Sequence, residues 1–141
     1  MTKKSAIALL ALAAWPLAAF ATRGEAAPPP PQTHTVRMYA EGENARFQPA
    51  NLTIRAGDRV RFVSMSGGPH NVSFDPEVIP AAAEARISAG MPDQIQPLSG
   101  ALVIGDGDSY TITFAGVPAG RYPYFCMPHE RMRMTGIITV Q

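Results

Sequence analysis

The residues of this 141-residue chain that could do chemistry cluster near its C-terminus. Cys126 is the single cysteine, His129 follows it by three residues, and Met134 follows it by eight. A further histidine, His70, stands far upstream after a Gly-Gly-Pro break. One thiolate, two imidazoles and a weak thioether suit a copper ion that cycles between two oxidation states, because soft sulfur favours the reduced ion and imidazole binds both. The pattern therefore indicates a redox copper site.

The segments that must position these residues read as short strands. Apolar and polar residues alternate between turn signals such as Gly57 and the break at 66–69. The predicted strands are 35–40, 51–55, 59–65, 70–74, 101–104, 109–114, 120–126 and 136–140. One alanine-rich helix, Ala81–Ala89, reads as an insertion on a sheet. Seven or eight strands with so little helix predict an all-β, two-sheet antiparallel sandwich.

In this sandwich Cys126 stands at the end of one strand, and His129 and Met134 lie on the loop before the next. A loop of that length can fold back over one ion. His70, at the start of another strand, would close the site and join the two sheets.

These motifs resemble the cupredoxins, the small blue copper family of plastocyanin and pseudoazurin. The Cys-x-x-His-x-x-x-x-Met loop at 126–134 and the Pro-His-Asn-Val at 69–72 both match. The loop 128–134 is most similar to that of pseudoazurin, which also carries two methionines two residues apart, here Met132 and Met134. Shorter matches follow at 47–49, 57–62 and 136–140. The resemblance covers 36–141, except for much of 81–107.

The resemblance implies a Greek-key sandwich that holds one type 1 copper ion near one end. Its ligands would be His70, Cys126, His129 and Met134. The edge of His129 would reach the surface and pass the electron, and the backbone N–H of Asn71 would hydrogen-bond the cysteine sulfur. Transient redox partners would then dock near His129, with the protein a monomer.

Each ligand candidate has an ordinary explanation when it is taken alone. His70 could be a hydrogen-bonded loop histidine, Met134 a core side chain, and Cys126 an inert buried thiol. Because these residues occur together at the spacing of the family, copper ligation is the favoured interpretation of all of them. Met127 and Met132 compete for the axial place, but the residues after Met134 resume the strand at the family position.

Other residues near the motif have less specific roles. Tyr122, Tyr124 and Phe125 are expected to be core and edge aromatics rather than an electron conduit. Charged residues are unusual in this loop, whose counterparts in the family often are apolar or small; here they are Glu130, Arg131 and Arg133. They are either solvated and idle, or they steer docking toward an acidic partner. His34 reads as an ordinary exposed histidine.

The N-terminus has the pattern of a secretory signal peptide. Lys3 and Lys4 precede an almost uncharged stretch, 5–20, and a small-x-small cleavage site at 19–21. An uncleaved signal acting as a membrane anchor is the alternative. The predicted organisation is a signal peptide over 1–21, a Pro-rich linker over 22–34 and a cupredoxin domain over 35–141. A periplasmic or otherwise exported protein, soluble after signal removal, follows from this pattern.

Three function classes fit a small exported copper protein. The favoured class is a single-electron carrier, and the alternative is a copper carrier or storage protein. An enzyme is disfavoured, because a second copper centre needs more histidines than His34 supplies. A nucleic-acid binder is also disfavoured, because the formal net charge is only +1 and no long run of one sign occurs.

Overall fold

The computed structural model describes residues 27–141, so the predicted signal peptide and the start of the predicted linker lie outside the described residues. The strands are β1 (Thr33–Glu41), β2 (Asn44–Gln48), β3 (Asn51–Ile54), β4 (Arg59–Ser66), β5 (Ser73–Phe74), β6 (Ser109–Thr113), β7 (Gly120–Phe125) and β8 (Thr135–Val140). Helix α1 spans Ala81–Ala89, and a 3-10 helix spans Met127–Met132. Within residues 27–141 no helix has the length and apolar character needed to cross a membrane.

The strands form two four-stranded sheets, with the orders β2-β1-β4-β6 and β3-β8-β7-β5. This confirms the predicted two-sheet sandwich with a short helical insertion. The prediction that all strand pairs are antiparallel is wrong, because β1 pairs with β4 and β3 pairs with β8 in parallel. The chain enters the second sheet at β3 before it returns to the first at β4. Such a crossover lets two strands of one sheet run in the same direction, which a tight hairpin cannot do.

Alternating side chains fill the space between the sheets, as the period-2 pattern predicts. Val60 and Phe62 on β4 are fully buried, while the alternating Arg59 and Arg61 are exposed. The ring of Tyr124 packs at a tilt against Phe47 and edge-on against Phe62, with ring centroids 4.6 Å and 5.6 Å away. Its hydroxyl donates to the carbonyl of Ala50 at 3.0 Å. Tyr124 is therefore a core residue whose one polar atom has a partner, as expected.

Two predicted strands are shorter than the sequence pattern indicates. The segment 101–104 forms only an isolated bridge between Val103 and His70. Of 70–74, only Ser73–Phe74 pairs as a strand, with β7. His70 and Val103 exchange two backbone hydrogen bonds, at 2.8 Å and 2.7 Å. This bridge anchors the segment that follows the end of β4, and it fixes the position of His70.

The expectation that His34 is an ordinary exposed histidine is wrong. Its Nε2 atom lies 2.9 Å from Oδ2 of Asp58, a buried carboxylate just before β4. The same carboxylate accepts hydrogen bonds from the backbone N–H groups of Gln32 at 2.8 Å and Arg55 at 3.0 Å. These contacts tie the start of β1 to the turn before β4. They lie where β4 begins, whereas His70 follows the end of that strand.

Candidate metal centre

Three of the four predicted ligands converge at one end of the sandwich. His70, Cys126 and His129 each offer one donor atom, and these atoms all lie within 4.8 Å of one another. The Cys126 sulfur is 3.4 Å from Nδ1 of His129 and 3.9 Å from Nδ1 of His70. The two imidazole rings tilt toward each other with centroids 4.8 Å apart. Residues more than fifty positions apart therefore place a thiol and two imidazole nitrogens around one point.

The orientation of His70 is fixed by the backbone. Its Nε2–H donates to the carbonyl oxygen of Ser66 at 2.8 Å, so the lone pair is on Nδ1, the atom that faces Cys126. The ring is fully buried. The sequence offers no signal for this contact, because any residue at position 66 supplies the same carbonyl group.

Cys126 lies at the end of β7, where Asn71 holds it from the side of His70. The backbone N–H of Asn71 donates to the Cys126 sulfur at 3.5 Å, which confirms the expected hydrogen bond. The Asn71 side chain also accepts from the backbone N–H of Met127 at 2.9 Å and donates to Ser73 at 3.2 Å. Asn71 therefore connects the segment after His70 to the ligand loop, a side-chain role that the motif alone does not reveal.

The loop after Cys126 folds back on itself through its backbone. The N–H of His129 donates to the carbonyl of Cys126 at 3.1 Å, and the N–H of Cys126 donates to the carbonyl of Met134 at 3.1 Å. Met134 is fully buried, whereas the side chain of Met132 is 39% exposed. Met127 is partly buried, and its sulfur lies 3.5 Å from the amide nitrogen of Gln96. Met134 is thus the one methionine of this loop whose side chain is fully enclosed.

In the absence of a cation, burial favours the neutral forms of Cys126 and His129. Burial raises the pKa of the Cys126 thiol, and the backbone N–H groups of Asn71 and His129 act in the opposite direction. Burial also lowers the pKa of His129, and the neighbouring His70 adds to this effect. A bound cation reverses the balance at the thiol, because it stabilises the thiolate directly. A set of one buried thiol, one buried imidazole and one partly exposed imidazole therefore fits a soft, imidazole-binding metal such as copper.

Comparison with known proteins agrees with this geometry. The family of copper binding proteins, plastocyanin/azurin family, matches residues 34–141. Plastocyanin from Scenedesmus fuscus is 36% identical over 107 residues, covering 76% of this chain and 98% of the relative. Plastocyanin from Nostoc punctiforme is 34% identical over 111 residues, covering 78% of this chain and 75% of the relative.

Solved structures with the same architecture include the oxidised plastocyanin of Dryopteris crassirhizoma. It superposes with a TM-score of 0.61 at 28% identity and covers 77% of this chain and 100% of its own. A Sinorhizobium pseudoazurin superposes with a TM-score of 0.55 at 28% identity and covers 78% of this chain and 74% of its own. The fold is therefore the Greek-key cupredoxin sandwich that the resemblance implied.

The chain belongs to the plastocyanin/azurin family of copper-binding proteins. It is accordingly a plastocyanin-like blue copper electron carrier, and it is not an enzyme. The Cys-x-x-His-x-x-x-x-Met loop and the distant Pro-His-Asn-Val predict the family and the copper cofactor, and the alternating strands predict the two-sheet sandwich.

Proposed function

We propose that this protein is an exported single-electron carrier in which His70, Cys126, His129 and Met134 hold one copper ion. The observation that carries the proposal is the convergence of a buried thiol and two imidazole nitrogens within 4.8 Å. The enclosed side chain of Met134, on the loop that bears His129, supports its assignment as the fourth, weak ligand. Copper bound to these residues supplies a one-electron couple.

The protein residues hold the donors in place by means of hydrogen bonds. Ser66 orients the ring of His70, and Asn71 holds both the Cys126 sulfur and the start of the ligand loop. Donors fixed in this way move little when the charge of the bound ion changes. Because the ligands rearrange little, electron transfer stays fast. An electron carrier requires fast transfer, whereas a copper storage protein does not.

His129 is the natural exit for the electron. His70 and Cys126 are fully buried, whereas His129 is partly exposed. Among the three converging residues, only its imidazole therefore offers an edge to a partner protein. This difference supports the proposal that redox partners dock transiently at this end of the sandwich.

The proposal is tested by the visible spectrum of the purified protein. The full chain is expressed in a bacterial host that exports proteins, loaded with cupric ion, and examined before and after ascorbate. We expect an intense blue band that bleaches on reduction and is absent in Cys126→Ser. Arg37→Ser, an exposed change on β1, is the matched control and should keep the band.

A colourless protein that binds only cuprous ion would overturn the electron-carrier proposal and favour the copper carrier or storage protein. A blue band that survives in Cys126→Ser would overturn the ligand assignment. Export is tested separately by sequencing the N-terminus of the protein recovered from the periplasmic and membrane fractions. We expect the mature chain to begin at Thr22, and an intact Met1 would favour the membrane-anchored alternative.

A further inference from the structure

The outer surface of the ligand loop carries two exposed arginines beside the partly exposed ligand. Arg131, Met132 and Arg133 are consecutive exposed residues between His129 and Met134. Within residues 27–141, His34 with Asp58 is the only pair of basic and acidic groups within 4.0 Å. No carboxylate of the described chain therefore neutralises Arg131 or Arg133 by direct contact.

The backbone under these arginines is held in a defined turn. Arg133 has the left-handed conformation (φ 56°, ψ 39°) that residues with a side chain rarely adopt. Its N–H donates to the carbonyl of Glu130 at 2.9 Å, and the N–H of Met134 donates to the carbonyl of His129 at 3.4 Å. The backbone that carries Arg131 and Arg133 is therefore a hydrogen-bonded turn next to His129.

The acidic residue of the same loop is also exposed, and it lines a groove. Glu130 lines an open groove of about 620 Å³, together with Asp75, Phe125 and Ile137. Neither Arg131 nor Arg133 lines this groove. Of the three charged residues of the loop, Glu130 therefore lines the groove, whereas Arg131 and Arg133 do not.

We propose that Arg131 and Arg133 form a cationic rim that docks an acidic surface of a redox partner beside His129. The inference rests on the proposed function, because it concerns the partner of the same site. Arginine is suited to this role, because its planar guanidinium group forms bidentate hydrogen bonds with a carboxylate. The exposed Met132 between them supplies an apolar contact that adapts to the partner surface.

The net charge of residues 22–141 is opposite in sign to the charge of the two arginines. An effect of the arginines on a charged reagent therefore differs in sign from an effect of the net charge. Residues 22–141 contain ten arginines and eleven aspartates and glutamates, a net charge of −1. A protein acting through its net charge would repel an anionic reagent, whereas a local cationic rim attracts it. The sign of the salt dependence for an anionic reagent therefore reports the local charge at the electron-transfer surface.

The test uses small reagents of opposite charge that each give one electron to the cupric protein. Hexacyanoferrate(II) is the anionic reagent and hexaammineruthenium(II) the cationic one. Each is mixed with the copper-loaded protein in a stopped-flow instrument, and bleaching of the blue band gives the rate. We compare the parent, Arg131→Gln/Arg133→Gln, and the control Arg37→Gln/Arg121→Gln, which removes the same charge from exposed strand positions.

Two unit charges about 10 Å from a reagent of charge −4, screened at 0.1 M salt, correspond to a rate effect of about eightfold. We therefore expect the loop variant to react about five- to tenfold more slowly with hexacyanoferrate(II) and about threefold faster with hexaammineruthenium(II). The control variant should change both rates by less than about twofold. Arg131→Lys/Arg133→Lys should restore most of the preference for the anion. In the parent, added salt should slow the anionic reaction.

Competition with a short polyglutamate peptide extends the test to a protein-like acidic surface. The peptide should slow the hexacyanoferrate(II) reaction of the parent and leave that of the loop variant unchanged. Two results would overturn the cationic rim and leave the proposed function intact, provided that the parent protein shows the blue band. One is a hexacyanoferrate(II) rate of the parent that rises with salt, and the other is equal behaviour of the loop variant and the control variant. A parent without a blue band overturns the proposed function and the docking role together.

Discussion

The replacement Asp58→Asn is expected to destabilise the protein strongly at neutral pH and hardly at all near pH 2. Burial alone raises the pKa of Asp58, but hydrogen bonds from the Gln32 and Arg55 backbone and from His34 outweigh burial and lower the pKa to about 2. The ordinary value is 3.8. The difference corresponds to about 2 kcal/mol of folding free energy in favour of the ionised carboxylate.

The sign of the pH dependence follows from the lowered pKa. The carboxylate contributes its full stabilisation above pH 3.8, and it loses this contribution as the pH falls toward about 2. The Asp58 carboxylate accepts hydrogen bonds from two backbone N–H groups. In Asp58→Asn the side-chain NH2 group would face one of these N–H groups, which would then have no acceptor. We therefore expect the variant to be about 2–3 kcal/mol less stable at pH 7, with the difference closing between pH 4 and pH 2.

Urea unfolding of the copper-free protein at pH 7, 4, 3 and 2 measures this difference. Copper is left out because acid also protonates its ligands, which would mix two effects. Glu84→Gln, an exposed change on α1, is the control and should shift the free energy of unfolding by less than about 0.5 kcal/mol at each pH. A variant within 0.5 kcal/mol of the parent at pH 7, or a difference independent of pH, would refute the reasoning.

Three further substitutions test the loop and the packing beneath it. Arg133→Gly should stabilise the protein by about 1 kcal/mol in urea unfolding, because glycine adopts the left-handed conformation without strain; lower stability would show that this conformation carries no strain. Gly136→Ala should destabilise by about 3 kcal/mol or more, because the new Cβ would overlap the carbonyl oxygen of Ala50; a well-folded variant with parent-like stability would contradict this packing. Asn71→Ala should cost about 1–3 kcal/mol, because the Met127 N–H loses its acceptor, while the blue band persists through the retained backbone N–H to the sulfur; an unchanged melting temperature of the copper-loaded protein would argue against this role.

The ligand loop was predictable because its members are close in sequence. Cys126, His129 and Met134 lie within nine residues, so the chain itself limits how far apart they can be. The choice of Met134 over Met132 stays a prediction, which the burial of Met134 and the exposure of Met132 support. That His70 belongs to the same site followed from the family resemblance rather than from local spacing.

The strands were predictable to the extent that burial alternates along them. Strand β4 and its neighbours carry one buried and one exposed face, a pattern that a single sequence displays directly. The segment 101–104 is entirely apolar and rich in strand-forming residues, but it forms only one bridge, at Val103. Its pairing depends on the backbone position of His70, which lies far away in the chain, and local propensity carries no information about that distance.

The sequence by itself determined the alternating strands, the ligand types and the spacing of the loop that bears them. Only the tertiary structure decided that two strand pairs run parallel, and that His34 meets Asp58 across 24 residues. It also decided that Ser66 orients His70. The physical reason is that side-chain chemistry and periodicity are local properties, whereas pairing across a crossover and contacts to a backbone carbonyl depend on how distant segments pack.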